Sequence, residues 1–106
     1  MSHLVSVQLD VLRGLLVELV ALAAELDDDA AGTAGAGRAL ADALPGDAGT
    51  HAAAVGEAGT AALTALAART SAVADTLGAA VESYRTADEQ VAQLIEGPVG
   101  RTAVAR

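Results

Sequence analysis

The sequence has no cysteine, phenylalanine or tryptophan, and it contains a single tyrosine. Without cysteine there can be no disulfide, no thiolate nucleophile and no cysteine-ligated metal. Hydrophobic residues make up 53% of the chain, but many of them are alanines, whose small side chains remove little apolar surface from water. The supply of large core residues is therefore thin, and we expect a partner protein to complete the core.

Positive charge is also scarce. Six basic residues, all of them arginines, stand against fourteen acids and give a formal net charge of −8. Nucleic acids and anionic membrane surfaces attract basic proteins, so neither is expected as the main partner.

The apolar N-terminal stretch does not have the pattern of a signal peptide. Nothing basic precedes it, and Asp10, Arg13 and Glu18 interrupt it at helical spacing. No run approaches the roughly 20 apolar residues that span a bilayer. We expect no stable membrane insertion, and export, if it occurs, without a cleavable signal peptide.

Heptad spacing of small and apolar residues predicts two long helices. The first seam consists of Leu12, Leu16, Leu19, Ala23, Leu26, Ala30, Thr33, Gly37, Leu40 and Leu44. The second consists of Ala52, Gly56, Gly59, Leu63, Leu66, Thr70, Val73, Leu77, Ala80, Tyr84, Ala87, Val91 and Leu94. The fold class is therefore all-α, with two antiparallel helices in a hairpin that completes a four-helix bundle with another helical hairpin. The sequence leaves open whether that dimer is homomeric or heteromeric.

The breaks in the pattern set the predicted boundaries. A first helix over about 10–44 begins with Asp10 as N-cap, a turn follows at 45–50, and a second helix runs over about 51–96. Asp47 or Thr50 is the expected cap of the second helix. Gly97 and Pro98 then end the hairpin domain, 1–96, and leave 97–106 as a flexible tail.

The stretch GTAGAG, Gly32 to Gly37, has two interpretations. Each interior glycine costs a helix about 1 kcal/mol relative to alanine, so the first helix could kink or stop there. Glycines also allow close approach of two helices, and the sequence does not decide between these alternatives.

Residues that could carry catalysis or bind a metal are few and scattered. Asp27, Asp28 and Asp29 are consecutive, so on a helix they fan around the axis and do not converge on a metal. His3 and His51 have no ligand-spaced partner, and Ser71 and Ser83 have no histidine nearby in the sequence. We predict no metal, no cofactor and no enzymatic activity.

Tyr84 and Asp88 are four residues apart and share a helix face. The heptad register predicts that the Tyr84 ring enters the helix–helix seam, with the Asp88 carboxylate at its rim. Taken alone, the pair is as consistent with a packing residue beside a solvated charge as with a recognition site.

The stretch AAVESYRTADEQ, with VQLDVLRGLLVELVALAAEL in the first helix, resembles the EspC-like branch of the actinobacterial type VII (ESX) secretion-associated proteins. The resemblance covers roughly residues 5–96. It implies that Tyr84 and Asp88 belong to a C-terminal Tyr-x-x-x-Asp secretion signal, which the pathway's membrane ATPase recognises. The turn reads Leu-Pro-Gly-Asp where the related WXG-type proteins have Trp-x-Gly, so the tryptophan half of that surface is missing here.

This resemblance predicts a non-enzymatic secretion substrate or a secretion-associated targeting partner. Such a protein is cytoplasmic before export and then secreted or held in the cell envelope. The alternative is a cytosolic helical adaptor, or a chaperone for a larger effector, in which Tyr84 serves only packing.

Overall fold

The computed structural model is all-α and consists of two long helices. Helix α1 covers His3–Ala43 and helix α2 covers Gly46–Ala105. The structure describes the backbone of residues 3–105 and the side chains of residues 5–95. Within these limits the helical hairpin predicted from the apolar periodicity is confirmed.

The helices are longer than predicted and the turn is shorter. Helix α1 begins at His3, so Asp10 lies inside it and is no N-cap. Helix formation continues upstream because Val5, Leu9 and Leu12 extend the apolar face at helical spacing, and Leu9 is only 8% exposed. At the other end, α2 passes through Gly97 and Pro98, beyond the predicted end at residue 96. The side chains of the tail 97–106 lie outside the described residues, so its flexibility stays a prediction.

The turn consists of Leu44 and Pro45 alone. The Leu44 N–H still donates to the Leu40 carbonyl at 3.0 Å. Gly46 then opens α2 with a φ of +61°, a left-handed conformation that glycine adopts without a steric penalty. Because this single residue reverses the chain, the predicted turn at 45–50 is wrong beyond its first position.

Neither predicted cap stands outside the second helix. Asp47 lies within the first turn of α2, where the positive end of the helix dipole stabilises its negative charge. The Thr50 hydroxyl donates to the Gly46 carbonyl at 3.4 Å from inside the helix. Both residues therefore support the start of α2 without capping it.

Helix α1 continues without interruption through Gly32–Gly37, so the glycines do not break it. Gly37 instead packs directly against Gly56 of α2: a Cβ built on Gly37 would lie 3.0 Å from the Gly56 Cα. A Cβ on Gly32 or Gly35 would meet nothing within 4 Å. Of the two alternatives left by the sequence, the structure adopts close helix approach, and Gly37 is the residue that provides it.

The chain divides into two compact units. The turn unit, Glu18–Ala74, holds the end of α1, the turn and the first part of α2. In this unit Thr33 lies against Gly59 and Gly37 against Gly56, so the two helices run antiparallel. Its buried apolar residues are all alanines: Ala30, Ala67 and Ala74.

The terminal unit consists of Met1–Val17 and Asp75–Arg106. Leu16 of α1 packs over Gly78 of α2, with its Cδ2 3.6 Å from where a Cβ would stand. Leu9 and Val81 form the buried part, at 8% and 4% exposure. Among the described residues of the whole chain, no large side chain is completely removed from solvent.

The inward face of α2 departs from the predicted seam after Leu63. Among the described side chains, the buried or half-buried positions of α2 are Gly49, Ala52, Ala53, Gly56, Gly59, Thr60, Leu63, Ala67, Thr70, Ala74, Leu77, Gly78, Val81, Arg85, Asp88 and Ala92. Within the turn unit, the row Gly56, Thr60, Leu63, Ala67, Thr70 and Ala74 takes five steps over 18 residues, which is the 3.6-residue repeat of an α-helix. Beyond Leu63, the predicted seam keeps only Thr70 and Leu77 at half-buried positions.

Most of the later part of the predicted α2 seam is on the surface, and only Thr70 and Leu77 are half-buried. Its exposed members are Leu66, Val73, Ala80, Tyr84, Ala87, Val91 and Leu94. The α1 seam is accurate from Leu12 to Gly37, and only its last two members, Leu40 and Leu44, are exposed. Helix α2 thus has one row of mostly small residues toward α1 and a second row, richer in large apolar residues, toward solvent.

Candidate recognition surface around Tyr84 and Asp88

Tyr84 and Asp88 lie one helical turn apart on the part of α2 that belongs to the terminal unit. Tyr84 is 65% exposed, whereas Asp88 is half-buried on the side that continues the α1-facing row. The prediction that Tyr84 enters the seam with Asp88 at its rim is therefore wrong, because the 3.6-residue repeat rotates Tyr84 outward and Asp88 inward. The tyrosine is a surface residue.

The Tyr84 ring forms one wall of an apolar groove of about 680 Å³. The α1 residues that line the rest are Val5, Val7, Gln8, Leu9, Val11 and Leu12. A tyrosine at such a position combines an apolar ring with a polar hydroxyl at the edge. Among the described residues, no hydrogen bond is made by that hydroxyl. The groove therefore offers a mainly apolar surface with the Tyr84 hydroxyl and the Gln8 amide as its polar groups.

Sequence reasoning did not find the α1 side of this groove. The antiparallel register is the information that would have located it. Leu16 lies opposite Gly78, so residues later in α2 pair with residues earlier in α1. That register needs one known contact between the helices, which the sequence alone does not supply.

Further exposed apolar side chains lie on both helices of the terminal unit. On α2 they are Val91, Leu94 and Ile95, which are 52%, 69% and 62% exposed. On α1, Val11 is 65% exposed and Leu15 is 44% exposed. Scattered apolar surface residues are ordinary, but a contiguous apolar patch marks an interaction surface.

Arg85 lies between Tyr84 and Asp88 and makes two ion pairs. One Nη nitrogen donates to Glu89 Oε1 at 3.0 Å, and the other contacts Glu82 Oε1. The hydrogen bond from Arg85 and then its charge lower the pKa of Glu82, while the same contact raises the pKa of Arg85. All three side chains are substantially exposed, so each pair contributes little to stability.

Asp88 takes no part in this network. No ion pair to its carboxylate occurs among the residues that the structure describes. The other arginine of the terminal unit with a described side chain, Arg13, lies 3.7 Å from Asp10. Asp88 is therefore an uncompensated acceptor beside an exposed aromatic ring.

The other candidate residues do not come together into a site. Asp27, Asp28 and Asp29 are all exposed on α1, and no group of three or more potential metal ligands forms among the side chains of residues 5–95. His51, Ser71 and Ser83 are exposed on α2. The side chain of His3 lies outside the described residues.

Within the part of the chain that the structure describes, neither helix is long and apolar enough to cross a membrane. Comparison of the chain with protein-family models, with curated proteins and with solved structures finds no match.

Proposed function

We propose that this protein is a non-enzymatic substrate, or a secretion-associated targeting partner, of type VII (ESX) secretion. Tyr84 and Asp88 act as its C-terminal recognition signal. The observation that supports this proposal is the exposure of Tyr84: a signal must be reachable, and Tyr84 is 65% exposed, one helical turn from a carboxylate that makes no ion pair among the described residues. The resemblance of AAVESYRTADEQ to the EspC-like proteins supplies the identity of the pathway.

In this proposal the type VII membrane ATPase recognises the Tyr84 ring and the Asp88 carboxylate on a preformed helix. A helical signal has a low ordering cost, because the backbone is already fixed before binding. The protein is cytoplasmic before export and secreted or held in the cell envelope afterwards.

A partner hairpin fits the surface of the chain. Among the described residues, large apolar side chains of both helices are exposed, including Val17 and Val20 of α1 and Leu66 and Val73 of α2. The exposed apolar row of α2 is a suitable contact surface for a second helical hairpin, of the same or of another protein.

Secretion of single-residue variants tests the signal. In a strain with an active type VII system, we expect Tyr84→Ala and Asp88→Ala to reduce the amount of protein in the culture filtrate while the cell-associated amount persists. Val55→Ala and Asp75→Ala are matched controls, because both replace exposed α2 residues away from the pair. Wild-type secretion of both Tyr84→Ala and Asp88→Ala would exclude the proposed signal.

The exposed apolar residues also favour a second candidate, a cytosolic helical adaptor or a chaperone for a larger effector. That protein would remain in the cell fraction, and Tyr84→Phe would leave its assembly unchanged. A coexpressed effector that is pulled down at a fixed ratio, with no export of the hairpin itself, would support this alternative.

A further inference from the structure

Arg85 is placed where it could neutralise Asp88. The two residues are three positions apart on α2, a spacing at which oppositely charged side chains on a helix form ion pairs. Both are half-buried, so their side chains start from the same side of the helix. An arginine at this spacing is the nearest cation in sequence to the Asp88 carboxylate.

The structure shows Arg85 engaged elsewhere. Its two Nη nitrogens go to Glu82, one turn before it, and to Glu89, one turn after it, the latter at 3.0 Å. Both are charge-assisted hydrogen bonds between exposed side chains, so each is weak in free energy. Because both Nη groups of Arg85 are already paired, an ion pair with Asp88 would require one of these contacts to break.

We infer that Glu82 and Glu89 form an acidic clamp that holds Arg85 away from Asp88, leaving the Asp88 carboxylate free to accept from a recognising protein. Glu82, Arg85 and Glu89 are then positioning residues, and Tyr84 and Asp88 are the residues that touch the recogniser. The recogniser's contact with Asp88 is a donor group, an arginine, a lysine or a backbone N–H, since an ionised aspartate only accepts hydrogen bonds. This last step rests on the proposed function, whereas the clamp itself rests on the ion-pair geometry.

Replacing the two clamp carboxylates with neutral amides should allow Arg85 to pair with Asp88. In Glu82→Gln/Glu89→Gln the amide oxygens attract the guanidinium less than carboxylates do, because they carry no charge. Asp88 is then the only carboxylate three or four residues from Arg85 in the sequence. We expect side-chain NMR to show NOEs between the guanidinium protons of Arg85 and the Asp88 Hβ protons in this variant and none in the wild type.

Export is the second measurement. An exposed helix ion pair of ordinary strength would mask Asp88 in about half of the molecules, so secretion of Glu82→Gln/Glu89→Gln should fall about two-fold. Glu25→Gln/Glu57→Gln makes the same change in net charge at exposed acids of the turn unit and should secrete as wild type. Adding Arg85→Gln to the clamp variant removes the masking cation and should restore secretion. Circular dichroism checks that α2 remains helical in every variant.

The outcomes separate the clamp from the signal. NOEs from the Arg85 guanidinium protons to Asp88 in the wild type, or their absence in the clamp variant, would overturn the clamp. A shift in NOEs without any loss of secretion, while Tyr84→Ala and Asp88→Ala still block export, would show that masking Asp88 is irrelevant and overturn the inference but not the signal. Loss of secretion in Arg85→Gln alone would overturn it as well, because Arg85 would then be a contact of the recogniser. Unchanged secretion of the Tyr84 and Asp88 variants removes the proposed function and leaves the NMR result to decide the clamp.

Discussion

Gly37 and Gly56 meet backbone to backbone across the hairpin: a Cβ on Gly56 would stand 2.9 Å from the Gly37 Cα. A contact this short excludes any side chain at either position without movement of a helix. The pair therefore determines how closely α1 and α2 approach in the turn unit.

We predict that Gly37→Ala destabilises the protein by about 1–3 kcal/mol, because the added methyl overpacks the helix contact. Gly35→Ala is the matched control two residues earlier on α1, where a Cβ meets nothing within 4 Å. That change should stabilise by about 0.5–1 kcal/mol, since alanine has less backbone freedom to lose on folding. Urea unfolding of the two variants measures both effects, and shifts of the same sign would contradict the glycine contact.

The two rows of α2 should respond differently to truncation. Val81 is 4% exposed in the terminal unit and Val91 is 52% exposed in the same unit. Val81→Ala removes buried methyl groups and should cost about 1–3 kcal/mol. Val91→Ala should change the free energy of unfolding of the isolated chain by no more than about 0.5 kcal/mol.

Thermal and chemical unfolding of these two valine variants therefore tests the 3.6-residue register of α2. The heptad register places Val91 in the seam, so it predicts that Val91→Ala is the costly change. A larger loss for Val91→Ala than for Val81→Ala would contradict the arrangement in which Tyr84 faces outward.

Glu82 should titrate below its ordinary range. Its pKa lies below the ordinary value of 4.5 because the Arg85 guanidinium hydrogen-bonds the ionised carboxylate and attracts its charge. A folded-state pKa below the unfolded one stabilises the folded helix above the unfolded pKa, and this stabilisation is lost as the pH falls through the folded pKa. NMR titration should find the Glu82 midpoint below 4.5 in the wild type.

Arg85→Gln is the matching test of the cause. Without the guanidinium, the Glu82 pKa should rise toward its ordinary value, 4.5, and the helical signal of α2 should become less sensitive to acid below that pH. A Glu82 midpoint that is the same with and without Arg85 would show that the ion pair does not form in solution.

The isolated chain should be only marginally stable. Among the side chains of residues 5–95, the buried apolar ones are Leu9, Val81 and three alanines, and side chains as small as alanine contribute little burial energy. We expect a free energy of unfolding below the roughly 5 kcal/mol that is the lower end for folded domains, and a rise in stability when a partner is bound. A concentration-independent, cooperative transition well above 5 kcal/mol in a monomer would contradict the need for a partner.

The amino-acid sequence determined the secondary structure and the topology. Apolar spacing in both halves requires helices, and the Leu44–Gly46 segment is the point where a proline and a glycine interrupt them, so an antiparallel hairpin follows from local chemistry. The α1 seam from Leu12 to Gly37 was also predicted correctly from apolar spacing, since every member of it is buried or half-buried. The predicted N-cap at Asp10 misses the start of α1 at His3, although the apolar residues before Asp10 continue the helical spacing.

Only the tertiary structure decided which side of α2 faces α1. Helix α2 carries two neighbouring rows, and the sequence pattern favours the row with the larger residues, Leu66, Val73, Tyr84 and Val91. In the terminal unit the buried and half-buried positions of α2 are instead Leu77, Gly78, Val81, Arg85, Asp88 and Ala92. Tyr84 is 65% exposed because Val81 and Arg85 occupy the side of α2 toward α1, and the spacing of large apolar side chains does not reveal that choice.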